Sequence, residues 1–99
     1  MALKISIPEE KIVAFCRRNR IRKLAFFGSV LRDDFSQESD VDVLVEFETG
    51  AQVGLQFFKM EQELSEILGR KVDLNTAGFL SQYFREKVIA EAEVLYEAA

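Results

Sequence analysis

Two hydrophobic periodicities divide the chain into segments. Near the start, Ile12, Phe15 and Cys16 recur at i, i+3 and i+4, the face of an amphipathic helix. Ser6-Ile7-Pro8-Glu9 precedes them in the S-x-x-E capping-box form, with proline in a first-turn position where its missing N–H costs little. The spacing predicts a helix over residues 8–19. The period then changes. Residues 23–27 form a short apolar, aromatic run ended by Gly28, the pattern of a buried strand, and residues 29–34 have room for one or two helical turns. Over residues 41–48, Val41, Val43, Val45 and Phe47 alternate with Asp42, Leu44, Glu46 and Glu48. That alternation predicts a second strand whose one face is wholly apolar and whose other face is polar at its start.

Helical spacing returns after a loop from Gly50 to Gly54. Phe57, Met60, Leu64, Ile67 and Leu68 fall on one stripe and predict a helix over residues 55–68, with Gly69 as its C-cap. Residues 71–76 predict a third strand, Val72 and Leu74 on one face and Asp73 and Asn75 on the other. Leu80, Phe84, Val88, Ala92 and Leu95 mark the buried stripe of a last helix over residues 79–98. Strands alternating with helices predict an α/β (α+β) fold, a small mixed β-sheet with helices packed mainly on one face. The helix between the second and third strands permits a parallel pair there; the pattern leaves strand order open.

Composition narrows the chemistry. The 99 residues fit a single domain, 1–99, and contain no histidine and one cysteine. Serine–histidine and cysteine–histidine catalysis, histidine-ligated metals, multi-cysteine metal sites and internal disulfides are excluded. Carboxylates, hydroxyls, Lys, Arg and backbone amides remain, so any metal is expected to be a hard cation on oxygen ligands, such as Mg²⁺. Cys16, on an apolar helix face, reads as a small core residue. The opening MALKISIPEEK has no apolar h-region, and no apolar run approaches the roughly 18 residues of a membrane span. A reduced, cytoplasmic setting without a membrane is expected. The net charge of −4 disfavours non-specific nucleic-acid binding, and no direct nucleic-acid partner is expected. The charge is unevenly spread: residues 1–35 carry +4 and residues 36–99 carry −8. Arg17, Arg18, Arg20, Arg22 and Lys23 form the basic part, either solvated cations at a helix C-terminus or a docking patch.

The stretch from Gly28 to Asp42 concentrates the candidate chemistry. Gly28-Ser29 sits where a strand turns toward a helix, a place where glycine lets a ligand approach and free amides suit a phosphate. Asp40 and Asp42 are two residues apart at a strand start, which directs both carboxylates to one face. Asp73 is the carboxylate in a strand context able to join them. Clustered carboxylates of this kind suit divalent cations that bridge to substrate phosphates, the layout of in-line phosphoryl or nucleotidyl transfer. Each piece alone is unspecific; the ordered combination is much stronger.

At these residues the chain resembles a known family. GSVLRDDFSQESDVDVLVEF resembles the G-S-x(10)-D-x-D signature of polymerase-β-type nucleotidyltransferases, and within them the minimal nucleotidyltransferase (MNT) antitoxins of HEPN–MNT toxin–antitoxin pairs. The likeness covers roughly residues 20–76 and extends through Leu68-Gly69-Arg70-Lys71 to Val72-Asp73-Leu74. It implies that Gly28 and Ser29 hold the triphosphate of ATP, that Asp40 and Asp42 ligate Mg²⁺, and that Asp73 is the third catalytic and metal-binding carboxylate. Arg32 reaches a phosphate or the partner, or else pairs at the surface with Asp33, Asp34 or Glu38. Many family members carry glycine after that arginine; here Asp33 stands, a residue that tolerates unusual backbone angles and adds a negative charge near the phosphates.

The resemblance further implies transfer of AMP to a hydroxyl, commonly a tyrosine, of a HEPN-type toxin that the protein binds and silences. The alternative is a non-catalytic module that neutralises the toxin sterically, although a pure binder has no need of clustered carboxylates. Phe35, Phe58 and Phe79 fall off the assigned stripes, as members of an apolar docking patch or as buried loop anchors.

Overall fold

Helices α1 (Glu9–Arg18) and α2 (Gln56–Leu68) pack on one face of a mixed sheet in a computed structural model that describes residues 7–28, 40–76 and 82–98. Among the described residues the sheet has four strands, β1 (Ile21–Phe27), β2 (Val41–Phe47), β3 (Val72–Thr76) and β4 (Glu93–Glu97), in the order β3-β2-β1-β4. β1 runs antiparallel to both β2 and β4, whereas β2 and β3 are parallel. The parallel pair follows from the connection: α2 crosses over the sheet and brings the chain back to start β3 beside the start of β2. A third helix, α3 (Gln82–Glu91), precedes β4.

Strand alternation builds the core. Leu24 and Phe26 pair with Val45 and Val43, and Val41 and Val43 pair with Val72 and Leu74, so one face of β1, β2 and β3 is continuously apolar. Ile12, Phe15 and Cys16 of α1 and Met60 and Leu64 of α2 close over it. Burial pushes the Cys16 thiol up to about 12, so it is an inert core group. On the other face, Ala25 and Leu44 are buried and, with Lys23, Glu46, Ala92 and Val94, line a hollow of about 20 Å³.

Several helix details differ from the sequence reading. Pro8 takes the N-cap place of α1, and Ser6 of the expected capping box lies outside the described residues. Glu9 and Glu10 in the first turn and Arg17 and Arg18 in the last complement the helix dipole. At the C-terminus the Asn19 side-chain amide donates to the Phe15 carbonyl at 2.9 Å, and Arg20 follows with a left-handed φ of 57°. Gly69 ends α2 as predicted, in the left-handed conformation at φ 68°.

The larger correction concerns the C-terminus. The helix predicted over residues 79–98 stops at Glu91, and Glu93–Glu97 forms β4 against β1. Val88 of the predicted stripe is buried, but Ala92 and Leu95 lie beyond the helix; Leu80 is outside the described residues. The physical reason is the free edge of β1. Its backbone groups need partners, and the Ala98 N–H, for one, donates to the Arg22 carbonyl at 2.8 Å. Among the described residues no helix is long and apolar enough to cross a membrane.

Candidate active site

The acidic residues meet where β2 and β3 begin. Asp40 immediately precedes β2, Asp42 is its second residue and Asp73 is the second residue of β3. The parallel register pairs Asp42 with Asp73, flanked by Val41 opposite Val72 and Val43 opposite Leu74. Two carboxylates therefore stand side by side on neighbouring strands about 4.8 Å apart. The Val41 N–H donates to the Lys71 carbonyl at 2.9 Å and ties the two strand starts together. Asp40 faces the Lys71 ammonium at 4.0 Å, a well-exposed contact of small energetic weight.

The end of β1 completes this corner. Phe27 lies opposite Asp42 in the antiparallel register, and Gly28 follows with φ at 75°. A Cβ built on Gly28 would overlap the Asp42 Oδ2 and crowd the rest of that carboxylate. Glycine is thus required twice over, by the left-handed backbone and by the carboxylate lying against it. The sequence reading gave Gly28 a phosphate-facing role; its packing against Asp42 emerges only from the fold.

Two further polar residues act on β3 and were missed in the sequence. The Val72 N–H donates to Ser65 Oγ at 3.0 Å and the Leu74 N–H to Glu61 Oε2 at 2.9 Å. Ser65 Oγ in turn donates to the Glu61 carbonyl at 2.9 Å. Asn75 adds a bond from its side-chain amide to the Asp73 carbonyl at 3.1 Å. The available signal was a pair of hydrogen-bonding side chains four apart, each next to a buried stripe position, Met60 or Leu64.

Of the predicted site residues, the fold brings Asp42, Asp73 and Gly28 into one corner, with Asp40 two residues upstream. Ser29, Arg32 and Asp33 lie outside the described residues. Among the described residues no three acidic side chains gather closely enough to hold an ion by themselves. Like charges repel without a cation between them, and Asp40 is turned to Lys71. Mg²⁺ seldom uses an all-protein cage: it takes one or two carboxylates and fills its octahedron with waters and substrate phosphates. The Asp42–Asp73 pair fits that donor set.

A sequence model of the family described as Polymerase beta, Nucleotidyltransferase matches residues 10–99. The chain belongs to this family. Protein adenylyltransferase MntA of Thermococcus cleftensis is 35% identical over 71 residues, which span 72% of this chain and 71% of the relative. A solved structure described as a minimal nucleotidyltransferase shares 33% identity with a TM-score of 0.71, covering 85% of each chain. The same fold recurs in a toxin–antitoxin crystal structure with AMP-PNP, at a TM-score of 0.74 and 22% identity over 93% of this chain and 75% of that one. It recurs again in a Shewanella oneidensis MNT antitoxin in complex with its tri-AMPylated HEPN toxin, at a TM-score of 0.65 and 23% identity over 91% and 70%. This minimal nucleotidyltransferase has its carboxylate pair beside the glycine that opens the family's signature stretch.

Proposed function

We propose that this nucleotidyltransferase moves AMP from ATP to a tyrosine hydroxyl of a HEPN-type toxin in the cytoplasm, and so acts as the antitoxin. The observation that carries the reading is the in-register Asp42–Asp73 pair with the Gly28 backbone against Asp42. Mg²⁺, when bound, neutralises the triphosphate and polarises the reacting phosphate. Asp42 and Asp73, with Asp40 swung from Lys71, would hold it. Gly28 and Ser29 would face the triphosphate, and Arg32 would pair with a phosphate oxygen. The acceptor oxygen bonds to the α-phosphorus as the bond to the bridging oxygen of the β-phosphate breaks. Pyrophosphate leaves, and the hydroxyl proton passes to Asp73 or to water. The MntA relative, named a protein adenylyltransferase, supports a protein acceptor, and the AMP-bearing toxin of the S. oneidensis complex supports a HEPN partner.

The test is mass spectrometry of the partner toxin after incubation with ATP and Mg²⁺. An added AMP is expected with the wild-type protein and none with Asp42→Asn, which is close in size, loses the charged ligand and should leave folding and partner binding intact. A second reading is steric neutralisation without chemistry. It is the correct one if Asp42→Asn neutralises the toxin fully and wild type adds no AMP either.

A further inference from the structure

We propose that Glu61 and Ser65 are positioning residues for the metal site, a two-point clamp from α2 that sets the place of Asp73. Among the described residues β3 is an edge strand, paired with β2 alone. Its amides at Val72 and Leu74 bond away from β2, to Ser65 Oγ and Glu61 Oε2. Asp73 is the residue between those two amides. An edge strand of five residues held on one side alone frays and shifts readily, and a shift of one residue would turn Asp73 to the core face. The clamp opposes both movements. Val72 and Leu74 are anchored in the core and their amides are anchored to α2, so the 71–72 and 73–74 peptide units that bracket Asp73 are held. The Asp73 carbonyl receives the Asn75 amide as a third tie.

The two contacts are joined to each other, because Ser65 Oγ donates to the Glu61 carbonyl while accepting from Val72. The hydroxyl proton is thereby committed, which leaves a lone pair aimed at the strand. Glu61 uses a carboxylate oxygen as a backbone acceptor, a charge-assisted bond stronger than a neutral one. This is costlier than needed to seal an edge, which a lysine or proline would blunt. Fixing one carboxylate against its neighbour accounts for both contacts. The clamp rests on the reading of Asp73 as a metal-site carboxylate, and a displacement of about 1 Å in such a group is worth up to roughly a hundredfold in rate.

The experiment is a double-mutant cycle between Glu61→Ala and Asp73→Asn. Two quantities are read: the gain in ATP affinity on adding Mg²⁺, by calorimetry on the full chain, and AMP transfer to the toxin. Glu61→Ala is expected to shrink the Mg²⁺-dependent gain and to slow transfer roughly tenfold to a hundredfold. Glu61→Gln, whose side-chain carbonyl still accepts from Leu74, is expected to restore most of both. In the Asp73→Asn background, Glu61→Ala is expected to add no further loss of the Mg²⁺-dependent gain. If Glu61→Ala does not fold, Ser65→Ala, which frees the Val72 amide on the other side of Asp73, takes its place in the cycle. The clamp is overturned if Glu61→Ala leaves both quantities at wild-type values, or if its loss is equally large in both backgrounds, the mark of a merely structural effect. A wild-type Mg²⁺ gain and wild-type transfer by Asp73→Asn would instead overturn the metal role of Asp73 itself.

Discussion

The two edges of the sheet are built differently. At one edge, β3 is parallel to β2, its flanking amides are taken up by Ser65 and Glu61 of α2, and it carries Asp73 into line with Asp42. At the other edge, β4 pairs with β1 with a register irregularity, and its residues are half-buried or exposed, Val94 at 45%. Both strands complete the same sheet, yet among the described residues only the first is held by polar side chains of a helix. Chemistry needs carboxylates fixed to within a fraction of an ångström, whereas closing a sheet edge needs only satisfied backbone groups. The difference separates the edge that carries the proposed site from one that closes the sheet.

Gly28→Ala gives the largest expected effect after loss of Asp42 itself. Alanine at this left-handed position costs about 1–2 kcal/mol before its Cβ meets the Asp42 carboxylate. Since that carboxylate must move, transfer of AMP is expected to fall by about a hundredfold or more, out of proportion to the loss of stability. Denaturant titration set beside a transfer assay checks this, and a drop in stability with transfer per folded molecule unchanged would remove Gly28 from the site.

Tyr96→Ala tests the opposite edge. Tyr96 pairs with Leu24 and packs against the core while remaining partly exposed. The substitution is expected to destabilise by about 1–2 kcal/mol and to leave the Mg²⁺-dependent gain in ATP affinity unchanged. A loss of that gain would break the division between the two edges.

The smallest effect is expected at Arg20, in the turn between α1 and β1 and at the end of β1 far from Gly28. Arg20 takes φ 57° where helices commonly use glycine, and its guanidinium meets Glu48 at 3.6 Å in an exposed pair of little weight. Arg20→Gly is therefore expected to stabilise by up to about 1 kcal/mol, read as a small rise in Tm with transfer unaltered. Destabilisation instead would mean that the Glu48 pair outweighs the backbone strain.

Most of the elements were legible because the local pattern and the final environment agree. Val41, Val43 and Val45 alternate in the sequence and lie together in the core, and Met60 and Leu64 mark the face that α2 buries. Residues 92–98 failed that test. Val88, Ala92 and Leu95 recur at helical spacing, while Glu93, Leu95 and Glu97 alternate with Val94 and Tyr96 at strand spacing. Nothing local decides between the two periods; the unpaired side of β1 does, since a strand there satisfies backbone groups that a helix would leave open. Of Phe35, Phe58 and Phe79, read as a docking patch or as loop anchors, Phe58 is 65% exposed beside Leu55 at 82%, and the other two lie outside the described residues.

Sequence by itself determined the types of α1, β1, β2, α2 and β3, the face of α1, β2, α2 and β3 that enters the core, and the carboxylates available for a hard cation, because these depend on neighbours three or four residues apart or fewer. Tertiary structure alone decided which strands are neighbours, that β4 is a strand, that Asp42 faces Asp73 in register, that the Asp42 carboxylate needs the missing side chain of Gly28, and that Glu61 and Ser65 hold β3. Those relations join residues from 7 to 74 positions apart. No short-range periodicity encodes them; they arise when hydrophobic burial brings the segments together and each backbone group must then find a partner.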